Sequence, residues 1–150
     1  MNYLYHGSAT DNLKILRPAK PLDAKSVNNK EDIKAVYMTD NWYVALIAGL
    51  FSSLRKYLEE HAYKNGSITW YDYNGKLVLN MSKNLYNILS KNKDTNIFIY
   101  RILKDKKFKV YKSYYISNKP VKTLSKEIIT YKSALQILEK EEKRIKILII

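Results

Sequence analysis

The chain opens on alternating positions, Tyr3-Leu4-Tyr5-His6, which predict a short strand closed by Gly7-Ser8. Residues 9–34 are polar, carry Pro18 and Pro21, and lack a sustained period. They predict one helical turn near Asn12–Leu16 and then a long loop. Ala35–Thr39 is a second apolar strand. Asp40-Asn41 then offers a helix cap, and Tyr43–Glu60 carries Val44, Ile47, Leu50 or Phe51, Leu54 and Leu58 at helical spacing.

After Asn65-Gly66, the stretches Ser67–Tyr73 and Gly75–Asn80 flank an Asn-Gly turn and read as a hairpin. Leu85–Leu89 predicts a short helix. Strands follow at Asn96–Leu103, Phe108–Lys112, Tyr114–Ser117 and Glu127–Thr130. Tyr131–Lys143 has helical periodicity through Ala134, Leu135 and Leu138, and Ile145–Ile150 is a final apolar strand. No repeat and no internal boundary interrupts this series, so 1–150 reads as a single domain. The strands do not alternate regularly with helices, which favours an α+β fold with a mixed sheet over a doubly wound one.

Composition narrows the chemistry. At 46% hydrophobic and 13% aromatic the chain has material for a packed core. It has no cysteine, which removes disulfides, thiolate metal sites and a cysteine nucleophile. With two histidines, no protein-ligated metal centre is expected. No apolar run approaches the roughly 20 residues that cross a bilayer, and the first residues lack the form of a signal peptide. A cytoplasmic location without membrane attachment is the expectation.

The net charge of +13 suits an anionic partner, either nucleic acid or the phosphates of a dinucleotide. Yet only Arg17, Arg55, Arg101 and Arg144 among the basic residues are arginine, and Asn, Ile and Tyr are abundant. An AT-rich coding sequence produces the same bias without any partner.

Two segments carry candidate chemistry. Tyr5-His6-Gly7-Ser8 ends a strand in histidine, glycine and a small hydroxyl. Val36-Tyr37-Met38-Thr39-Asp40-Asn41 sets an aromatic and a hydroxyl just before a helix. This ordered pair resembles the first two motifs of the diphtheria-toxin and poly(ADP-ribose) polymerase branch of ADP-ribosyltransferases, over roughly the first third of the chain. The resemblance implies a mixed, split β-sheet core with two to four flanking helices, in which the His6 and Tyr37 strands are neighbours and open into one cleft. It implies NAD, as a substrate, or another ADP-ribose compound, as the ligand. His6 would bond a ribose hydroxyl, Gly7 would hold the nicotinamide amide by its backbone, and Ser8 and Thr39 would lie along the pocket wall.

Physical reasons run beside the resemblance. A flat nicotinamide suits an aromatic face such as Tyr37, glycine lets a ligand approach the backbone, and neutral histidine both donates and accepts. Each residue also has a plainer reading: His6 a satisfied strand-end histidine, Gly7 a turn former, Tyr37 one of fourteen tyrosines.

The chain departs from the family twice. The second aromatic expected on the helix falls at Ala48, with Phe51 one turn further as a substitute. The glutamate expected on a late strand, which would stabilise the cationic ribose, falls at Tyr114 in Ser113-Tyr114-Tyr115-Ile116-Ser117-Asn118. A phenol carries no negative charge at pH 7. Glu127 is the other late acid in a strand, and a surface carboxylate among lysines is its plainer reading. Glu139, Glu141 and Glu142 read as a solvated helix face.

The stretch Lys104–Lys126 interleaves Lys104, Lys106, Lys107, Lys109, Lys112, Lys119, Lys122 and Lys126 with Phe108, Tyr111, Tyr114 and Tyr115. That pattern fits a single-stranded nucleic-acid surface; an antiparallel sheet with rings inward and lysines outward is its plainer reading. Three functions follow: an NAD-binding, ADP-ribosyltransferase-like transferase of weak or lost activity acting on nucleic acid or an acidic protein, an inactive interaction module of the same fold, or a basic nucleic-acid-binding domain.

Overall fold

The computed structural model describes residues 2–20, 33–60 and 68–150. Most of the expected loop between Pro21 and Glu31, and the Asn65-Gly66 connection, lie outside them. The class is α+β, with three helices among mostly antiparallel strands in the described residues.

β6 (Asn96–Leu103) is the central strand, and its sequence shows why. Ile97 and Ile99 face one core; Phe98, Tyr100 and Ile102 face another, so both sides of the strand are buried. β1 (Tyr3–Ser8) and β10 (Ser125–Thr130) flank it, both antiparallel. A second sheet runs β3 (Val36–Met38), β8 (Tyr114–Ser117), β7 (Lys109–Tyr111). One residue pair joins the two sheets: the Tyr5 amide donates to the Thr39 carbonyl at 2.8 Å, and the Thr39 amide donates to Tyr5 at 3.0 Å. Beyond that pair β1 and β3 part.

The helical turn expected at Asn12–Leu16 is not formed. Asn12 takes a left-handed φ of 60°, and Ile15–Leu16 is a two-residue strand, β2, pairing with β9 (Val121–Lys122). The sequence lacked a signal for either strand because each is too short to show a period. β4 (Ile68–Tyr73) and β5 (Lys76–Met81) form the expected hairpin around Asn74-Gly75, both with positive φ, and β11 (Ile145–Ile149) runs parallel to β5.

Helix α1 (Trp42–Glu60) begins where Asn41 Oδ1 accepts from the Tyr43 amide at 3.0 Å, as a capping asparagine does. α2 (Lys83–Lys91) is capped by Ser82, and α3 (Tyr131–Lys140) by Thr130. α3 stops at Lys140, short of the Lys143 expected from the pattern, because Glu139 onward offers no further buried position until Ile145. Its stripe of Tyr131, Ala134, Leu135 and Leu138 packs into the core that α1 shares with Leu79, Met81 and Ile97.

α1 lies unusually close to β1. A Cβ on Gly7 would sit 1.9 Å from the Ala45 carbonyl oxygen and 2.6 Å from the Gly49 nitrogen; one on Gly49 would sit 2.5 Å from Ile97 Cγ2. Strand and helix therefore touch backbone to backbone, and no side chain fits between them.

This contact makes a test. Gly7→Ala should destabilise by about 3 kcal/mol, the upper end for overpacking against atoms that cannot rotate away. Gly75→Ala, strained at φ 78° but with open space around it, should cost only about 1–2 kcal/mol. Urea unfolding midpoints check the ranking, and equal losses would mean that the helix yields freely.

Candidate functional site

Where β1 and β3 part, the chain encloses a cavity of about 1010 Å³ against α1 and the β7–β8 turn. His6, Gly7, Ser8, Tyr37, Thr39, Phe51 and Tyr114 all line it.

His6 sits in the gap itself. Strand alternation turns it away from the face that Tyr5 and Tyr37 share, yet its ring lies in the split, where Nδ1 is 2.7 Å from the Tyr37 carbonyl oxygen. A carbonyl only accepts, so Nδ1 carries the proton and the neutral ring keeps its lone pair on Nε2. Burial pushes the imidazole pKa below the ordinary histidine value, and the bond to Tyr37 offsets this only in part. The neutral form is the resident one.

Gly7 owes its identity to a different contact from the expected one. Its missing Cβ is required by α1, not by a ligand. The ladder nonetheless determines where its peptide groups aim. Tyr5 spends both of its backbone groups on Thr39, and groups two residues apart point the same way, so the Gly7 N–H and C=O point to the split edge and not to β6. Tyr37, the residue that would continue the pairing with Gly7, has its carbonyl bonded to His6 instead.

Tyr37 stands between two supports. Its hydroxyl donates to the Ile33 carbonyl at 2.5 Å, and its ring meets Tyr114 edge-on, centroids 5.9 Å apart at 87°. Ser8 Oγ accepts from the Thr10 amide, and Thr39 Oγ1 from the Asn41 amide. Both hydroxyls thus shape the turns beside the cavity. Phe51 and Ala48 look into it from α1, one helical turn apart.

Glu127 is not brought to this site. It lies on β10, beyond β6, and its Oε1 accepts from the Trp42 indole N–H at 2.9 Å, tying β10 to the first turn of α1. Among the described residues no aspartate or glutamate lines the cavity, while Arg17, Lys20, Arg55, Lys56 and Lys112 do. Of these, sequence reasoning singled out only Lys112, within the Lys104–Lys126 stretch, and it brought none of them to the cleft. For Arg55 the signal was present, since it shares the face of Ala48, Phe51 and Ser52 at spacings of three and four. Arg17 and Lys20 come from a segment without periodicity, and Lys112 from the end of an expected strand, so none of the three could be placed on the wall.

Among the described residues the site is therefore a cationic cleft with aromatic walls, a neutral histidine and the Gly7 peptide edge at its split. That set of groups suits an anionic ligand bearing a flat polar ring. No family model, no curated protein and no solved structure matches the chain. No helix among the described residues is long and apolar enough to cross a membrane, and no cluster there fits a metal ion.

The histidine gives the site a pH signature. Between its depressed folded pKa and the ordinary value near 6.5, the unfolded chain binds a proton that the folded chain refuses. The stabilising contribution is whole above about pH 6.5 and declines as pH falls through that window. Urea midpoints followed from about pH 7.5 to about pH 5 should drop further for the wild type than for His6→Asn, whose amide can still donate to Tyr37. Parallel curves would mean that the folded chain accepts the imidazolium without penalty.

Proposed function

We propose that the chain is an ADP-ribosyltransferase-like domain that takes NAD, or another ADP-ribose compound, into the cleft between β1, β3 and α1. The observation that carries this reading is the convergence of the two motif strands at the split, with His6 bonded to the Tyr37 carbonyl and the Gly7 peptide edge beside them. The parts divide the ligand among them. His6 Nε2 accepts a ribose hydroxyl, and the Gly7 N–H and C=O offer a complementary pair to the carboxamide. Tyr37 supplies a ring face, with Phe51 on the helical side. The cations on the wall balance the two phosphates.

Turnover is another matter. Breaking the nicotinamide–ribose bond leaves positive charge on the ribose, and a preorganised carboxylate nearby is worth about 10²–10³ in rate. Here the wall is cationic and Tyr114 stands beside Tyr37. A field that favours the anionic ligand opposes the cationic transition state. This observation favours a second form of the reading, a domain that binds the dinucleotide and transfers ADP-ribose weakly or not at all.

Calorimetric titration with NAD tests binding, and release of nicotinamide tests turnover. Tyr37→Ala should weaken NAD binding by about 1–3 kcal/mol, as for other base–ring stacks; Tyr37→Phe, losing one partly exposed hydroxyl bond, should cost much less. Tyr114→Glu should raise NAD hydrolysis and Glu127→Gln should leave it unchanged. Failure of the wild type to bind NAD sinks the proposal. Robust transfer by the wild type would instead overturn the expectation of weak catalysis.

A further inference from the structure

The register of the second sheet creates a feature that the NAD reading uses only in part, at Tyr37 and Lys112. Tyr37 is paired with Ile116, and Ile116 with Lys109, so these side chains share one face. Tyr114 and Tyr111, two residues along their strands and paired with each other, lie on that same face. The result is a row of three rings, Tyr37, Tyr114 and Tyr111, along one wall of the cleft toward the sheet edge, with Lys109 beside its outer end. Tyr111 and Tyr114 are half-exposed and Lys109 is exposed. Lys112 holds its ammonium over the Tyr111 ring at 5.3 Å.

The turn that closes this hairpin is strained. Lys112 and Ser113 adopt φ of 50° and 74°. Two positive φ values match the twist of a tight hairpin, but the residues suited to them are asparagine and glycine. The same chain uses Asn74-Gly75 for the turn between β4 and β5. The turn sets the Lys112 side chain at the wall of the cleft.

We infer that this row binds single-stranded nucleic acid, with bases stacked along Tyr111 and Tyr114 and phosphates met by Lys109 and Lys112. Rings at strand spacing with lysines beside them are what a base-after-base stack requires, and the net charge of +13 supplies the long-range attraction. The row lines the cleft, so a bound strand brings a nucleotide beside the ribose site. The inference names the macromolecular acceptor that the transferase reading leaves open, and rests on that reading for the acceptor role alone. Binding is measured without NAD.

The probe is a fluorescein-labelled fifteen-nucleotide oligothymidine, followed by anisotropy against a duplex of equal length and with polyglutamate as competitor. Single strand should bind at least about tenfold more tightly than duplex, since paired bases hide their faces. Tyr111→Ala should weaken binding about 5- to 150-fold while Tyr111→Phe retains it. Lys109→Ala should lower the slope of log affinity against log salt by about 0.7, one phosphate contact on a single strand, and leave calorimetric NAD binding unchanged. Replacing Lys112-Ser113 by Asn-Gly should raise Tm by roughly 2–4 °C or more and yet weaken the oligonucleotide complex.

Equal affinity for duplex and single strand, or displacement by polyglutamate at matched charge, would show a generic polyanion surface and overturn the inference. So would equal binding by Tyr111→Ala and Tyr111→Phe. Oligonucleotide binding without NAD binding upholds the surface and removes the transferase reading; NAD binding without oligonucleotide binding does the reverse.

Discussion

Everything about the cleft depends on one close approach, the backbone of Gly7 against the Ala45–Gly49 turn of α1. At that distance no side chain separates strand from helix, so α1 is held at a single depth and rotation. Its face of Ala48, Phe51, Ser52 and Arg55 then has to look across the split at Tyr37. The same contact occupies the side of Gly7 where a Cβ would be. Its peptide groups are left aimed at the edge from which β3 has diverged. One glycine thus sets the packing of the helix and the chemistry of the split together, because the only way to bring two backbones this near is to remove the atoms between them.

The divergence of β1 and β3 has its own cause. A ladder continued past Tyr5 and Thr39 would join Gly7 to Tyr37, but the imidazole of His6 takes the Tyr37 carbonyl. A side chain has replaced a strand as hydrogen-bond partner, and the sheet opens without stranding that carbonyl. Because the imidazole is buried while it does this, its charged form is disfavoured. The group that wedges the sheet open is therefore also a neutral acceptor looking into the cavity.

Electrostatics decides what such a cavity is good for. Cations reach it from three separate places: the segment after β2, the middle of α1 and the β7–β8 turn. Among the described residues no carboxylate lines the wall to balance them, and the acid nearest in sequence logic, Glu127, is spent on Trp42 across the other side of β6. Such charges favour an anionic ligand and disfavour positive charge developing on it.

Much of this was legible in the residues. The long helix, the Asn-Gly hairpin, the strand at Asn96–Leu103 and the α+β class follow from periodicity and turn chemistry, which act over a few residues and need no partner to be read; that this strand is the central one is decided by its neighbours. The neighbouring placement of the His6 and Tyr37 strands was an expectation from motif order. What the chain could not disclose were features defined by what meets what. β2 and β9 are strands only because each finds the other. Gly7 is glycine because of a helix whose contacting turn lies nearly forty residues on in sequence, at Ala45. Glu127 was assessed as a candidate acid from its strand, yet its neighbour is an indole from α1. The cationic wall is assembled from segments with no shared pattern, so only the fold, by closing them round one space, made them a single site.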